Sequence, residues 1–135
     1  METFPINWWA VVAAALVKIV LGAIWYSPIA FLPKWMAATG VSEAHMKTAF
    51  PKAIAIDIVG AFVLALVLLH AVHYAGARTV GQGATVGFFG WLGFIGVLSL
   101  GQIVYERRPF SYFAINNGYL LLSLMIMGAI LAVWP

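Results

Sequence analysis

The chain has 135 residues, 64% hydrophobic and only 8% charged, against roughly 25% charged residues in a soluble globular domain. That balance speaks against a water-soluble fold, and the length leaves room for one domain. The formal net charge is +3, yet Lys and Arg are scattered and form no basic stripe, so nucleic acid is not an expected partner; the absence of cysteine excludes disulfides and thiolate chemistry.

A helix needs roughly 20 mostly apolar residues to cross a hydrocarbon core of about 30 Å. The first such run is Trp8 to Tyr26. It carries one charge, Lys18, about 12 Å from the Tyr26 end at 1.5 Å per residue. The connection that follows holds Pro28, Pro33, Lys34, Trp35 and Met36 before Gly40, which predicts a short helix in the headgroup plane. Ser42 is the expected N-cap of a second short helix that stops before Pro51.

The second run spans Ala53 to Tyr74 and carries Asp57 about 7 Å from its start. Lys18 and Asp57 are expected to meet as a buried ion pair across antiparallel neighbours, either fixing register or serving an ion or proton path. His70 and His73 lie near the other end of this run, and Arg78 follows. His-x-x-His alone falls short of the three or four protein ligands of a zinc site, and His45 belongs to the opposite side, so no metal is expected.

Val80 to Tyr105 is the third run, with Gly81, Gly83, Gly87, Gly90, Gly93, Gly96 and Gly101. The spacing of Gly83, Gly87, Gly90 and Gly93 predicts a small-residue seam for close helix packing. Glu106, Arg107, Arg108 and Pro109 make the third connection, and Ser111 to Trp134 is the fourth run. Asn116 and Asn117 fall in its first turns, and Gln102 lies at the same level. Interhelical amide hydrogen bonds are expected there, or else a small polar corner roofed by Glu106, Arg107 and Arg108, whose arginines suit anionic headgroups.

Two patterns resemble a bacterial membrane family catalogued as domain of unknown function 1761. One is Gly22 followed by Trp25-Tyr26-Ser27-Pro28, Phe31 and Trp35; the other is Glu106-Arg107-Arg108-Pro109 followed by Ile115, Gly118-Tyr119 and Met127-Gly128. The resemblance covers nearly the whole chain and implies a four-helix membrane fold, with no activity, substrate or catalytic residue attached. Where that family usually has Gly after the Phe, this chain has Leu32-Pro33.

The expected fold is therefore an all-α integral membrane protein, with four transmembrane helices in an up-and-down bundle and short interfacial helices between the first two. Trp8, Trp9, Tyr74 and Trp134 fit an aromatic belt at one level, and Trp25, Tyr26, Tyr105 and Tyr112 fit the other. Lys34, Lys47, Lys52, Arg107 and Arg108 share one side, with only Arg78 opposite. The positive-inside rule puts both termini outside the cytoplasm of a cell inner membrane. No catalytic constellation or cofactor motif is present. The leading expectation is a non-enzymatic protein acting through self-assembly or inside a larger membrane complex. A transport or channel subunit with a polar path near Lys18, Asp57 and Asn116 is the rival, and a lipid-binding or lipid-modifying protein is the third reading.

Overall fold

A computed structural model describes residues 3–134, and every regular element among them is helical. Helix α1 (Trp8–Trp25) opens where the Asn7 side chain accepts from the Trp9 and Ala10 N–H groups at 3.1 and 3.3 Å, satisfying donors that a helix start leaves orphaned. In α2 (Leu32–Thr39), Pro33 sits in the first turn, where a missing N–H leaves no bond unmade. The helix ends on Gly40 at φ 73°, a left-handed conformation that glycine adopts without Cβ strain.

Helix α3 (Glu43–Tyr74) departs from expectation. Ser42 caps it, accepting from the His45 N–H at 3.1 Å, but the helix does not stop before Pro51 and runs unbroken for 32 residues. The expected separate short helix is therefore the first part of α3. Proline removes one intrahelical hydrogen bond, here to the Lys47 carbonyl. Both Lys47 and Pro51 are exposed, so water can take that carbonyl, while the helix-forming residues on either side carry the helix across. At 1.5 Å per residue α3 is about 48 Å long, about 18 Å more than a hydrocarbon core. Its far end closes in a Schellman turn: Gly76 N–H donates to the His73 carbonyl at 3.0 Å and Ala77 N–H to the Val72 carbonyl at 3.1 Å.

Helix α4 (Val80–Trp91) starts with a capping box between Thr79 and Gln82. A π-helical turn, Leu92–Gly96, joins it to α5 (Val97–Tyr105), and α6 (Phe110–Val133) completes the chain. Trp8–Trp25, Glu43–Tyr74, Val80–Tyr105 and Phe110–Val133 are long and apolar enough to cross a membrane. Apart from the start of α3, their limits lie within one residue of the apolar runs read from the sequence.

Helix α6 is the hub. Gly83 and Gly87 of α4 lie on its backbone, so that a Cβ added to Gly83 would fall on the Gly128 carbonyl and one added to Gly87 on that of Leu124. Nothing lies within 4 Å of a Cβ built on Gly90 or Gly93. The expected four-glycine seam is thus two glycines long. Beyond Gly87 the helices part around the Trp91 indole, which packs on Gly96 and reaches across to Asn117. Away from the basic end, where Lys34, Lys47, Lys52, Arg107 and Arg108 lie, α1, α3 and α6 enclose an apolar core around Val11, Val72, Leu124 and Met127. Nearer the basic end the packing thins, and α5 has no buried residue.

Candidate functional site

The polar interactions at the basic end form a clasp between α1 and α6. Trp25 Nε1–H donates to the Ile115 carbonyl at 2.9 Å, and the Tyr26 hydroxyl donates to Asn116 Oδ1 at 2.6 Å. About two turns back along α1, Lys18 Nζ donates to Tyr119 Oη at 3.2 Å, while the Tyr119 hydroxyl donates to the Lys18 carbonyl at 3.0 Å. The ammonium also stands 5.1 Å from the Tyr119 ring centroid, within range of a cation–π attraction.

Two glycines make room for the rings. A Cβ on Gly22 would lie 2.8 Å from Tyr119 Oη, and one on Gly118 3.0 Å from the Trp25 ring. Phe31 packs against Trp25 with centroids 4.6 Å apart, and Trp35 meets Tyr26 edge-on at 6.1 Å. The clasp therefore ties the start of the first connection, as well as the two helices, into one unit.

Lys18 and Asp57 do not form the expected ion pair. The ion pairs among the described residues are Glu43–Lys47 at 3.6 Å and Glu106–Arg108 at 3.0 Å. Lys18 is half-buried against α6, whereas Asp57 is exposed. Geometry explains the miss. On α3 burial begins at Ala61 and continues through Ala65, Leu68 and Val72, whereas Asp57 lies one turn earlier, in a stretch, residues 55–60, that is exposed throughout. It remains within electrostatic reach of the Tyr26 phenol, as do Tyr112 and Tyr119.

The expected polar corner also divides. Arg108 Nε bonds Glu106, and its guanidinium lies 4.7 Å from the Tyr112 ring centroid. Arg107 is exposed and holds a left-handed φ of 54°. Asn116 turns to Tyr26, and the buried Asn117 accepts from Trp91 Nε1 at 3.1 Å, so neither asparagine joins Glu106, Arg107 and Arg108. Gln102 is exposed and meets neither amide. At the opposite end, Phe4 stacks on His73 at 3.7 Å and meets His70 edge-on at 5.1 Å. His70 Nδ1 lies 2.7 Å from the Leu66 carbonyl.

Residues 9–132 match a sequence family described as a protein of unknown function, DUF1761. The chain belongs to the DUF1761 family. No characterised relative and no solved structure matches it. The two sequence patterns that carry the family resemblance meet in this DUF1761 protein. Gly22, Trp25, Tyr26, Phe31 and Trp35 supply one side of the clasp, Ile115, Gly118 and Tyr119 the other, and Gly128 seats α4. Tyr119 and the two tryptophan hydrogen bonds were not foreseen from residue chemistry. The available signal was the pairing of each small residue with a neighbouring aromatic, Gly118-Tyr119 on one helix and Gly22 ahead of Trp25 on the other.

Proposed function

We propose that this DUF1761 protein is a non-enzymatic membrane protein, an up-and-down bundle of four transmembrane helices, that works by self-assembly. The observation that carries the reading is Asp57, an exposed carboxylate inside the apolar stretch of α3. An ionised residue costs about 2.5–3.5 kcal/mol at a helix centre and less at the shallower depth of Asp57, so a neighbouring chain that supplies a hydrogen-bond donor is still favoured over lipid at that face. The π-helical turn, with Phe94 exposed, and the thinly packed α5, with Leu98 exposed, offer further surface for a neighbour.

The transport reading receives less support. A polar path would start at Lys18, Tyr119 and Asn116, but Val11, Val72 and Met127, at 1%, 2% and 0% exposure, fill the core beyond them. In the orientation we propose, the basic end lies in the cytoplasm of a cell inner membrane and Arg107 and Arg108 meet anionic headgroups. The mass of the protein extracted in mild detergent and in lipid nanodiscs tests self-assembly. A multiple of 14.6 kDa is expected. Other chains in fixed stoichiometry would make it an accessory subunit, and a single-chain mass in both media would overturn the proposal.

A further inference from the structure

Two exposed stripes of this chain complement each other. On α3, the exposed Asp57, Gly60 and Val67 lie along one side of the helix, with Leu64 among them half-buried against the core. On α5, Leu98, Gly101, Gln102 and Tyr105 do the same, with Leu98 69% and Tyr105 90% exposed. Each stripe pairs one exposed polar side chain with one glycine beside which a Cβ would meet nothing within 4 Å, Gly60 on α3 and Gly101 on α5. Open glycines let helix backbones approach closely.

The polar groups also match in chemistry and depth. A glutamine amide carries two N–H donors and an ionised carboxylate only accepts, and hydrogen bonds to a charged acceptor are among the stronger ones. Gln102 lies three residues before the end of α5, about 5 Å in, and Asp57 about 7 Å into the apolar part of α3. Neither side chain has a hydrogen-bond partner within its own chain among the described residues. One chain thus holds both halves of a contact that it does not close on itself, the condition for repetition between identical copies.

We infer that in the assembly proposed above, on which this inference rests, the Gln102 amide of one copy donates to Asp57 of the next copy, with α5 packed on α3. The chain has no cysteine, so single cysteines report this contact without background. Asp57→Cys and Gln102→Cys forms carrying different tags are co-expressed, and the membranes are oxidised. Disulfide-linked heterodimer is expected from the mixture, and little product from either form alone. Independently, Gln102→Leu is expected to raise the dissociation constant of the assembly three- to tenfold, about the strength of one such hydrogen bond in a membrane protein or slightly more. Absence of heterodimer while the mass remains a multiple of one chain overturns this interface and leaves self-assembly standing. Equal cross-linking of either single form with itself overturns it too. A single-chain mass in detergent and nanodiscs removes self-assembly and the interface together.

Discussion

Tyr119 holds Lys18 at two points, accepting from the ammonium and donating to the carbonyl of the same residue. Removing that hydroxyl leaves a half-buried ammonium with an aromatic face as its remaining partner. Tyr119→Phe should therefore lower stability by about 1–3 kcal/mol, the penalty of an unmet polar group, read as a lower midpoint of thermal unfolding in mild detergent. A midpoint equal to that of the wild type would show that the ammonium does not depend on this phenol. Arg107 behaves in the opposite sense. Its φ of 54° is left-handed, which burdens a residue with a Cβ by about 1–2 kcal/mol, so Arg107→Gly should melt at the same temperature or higher and Arg107→Val lower. Lys18 was legible in the sequence as a charge at depth, but its partner was not. Counting residues gives the height of a side chain along a helix, not which of two neighbouring helices it faces, and a tyrosine near a helix end reads as an interfacial anchor.

At the scale of elements, the glycines of the third apolar run separate by what lies opposite them. Gly87 rests on the Leu124 backbone, while Gly90 faces open space. Gly87→Leu should destabilise the single chain by about 1–3 kcal/mol or more, as overpacking does, and Gly90→Leu should leave its unfolding midpoint unchanged. Equal effects from both would mean that α4 and α6 stay in contact beyond Gly87. Spacing alone put Gly83, Gly87 and Gly90 on one side of the helix, and that much was readable. The point at which two helices part was not, because it is set by the Trp91 indole and its bond to Asn117, which join residues far apart in the chain. Pro51 taught the same lesson for α3. Proline discourages a helix by a local bond that exposed backbone can exchange for water, and the long apolar run beyond it decides the outcome.

For the whole molecule, the four apolar runs were readable because lipid demands length and continuity, properties that a sequence displays directly. The proposed sidedness rests on charge, and the length of α3 adds to the argument. That helix extends about 18 Å beyond a hydrocarbon core at the end bearing Glu43, Lys47 and Lys52, so the overhang carries two of the cations that the positive-inside rule counts. Arg107 and Arg108 lie at the same end, after α5. Only Arg78 stands at the other, and moving the basic end across a membrane would carry five cations against one. A fluorescent protein that matures only in the cytoplasm, fused after Pro135, should therefore stay dark, while alkaline phosphatase fused at the same site should be active. Bright fluorescence from intact fusion with inactive phosphatase would invert the orientation. It would place Arg107 and Arg108 against the outer leaflet, and the self-assembly test would be unaffected, because Asp57 and Gln102 keep their common depth whichever way the bundle faces.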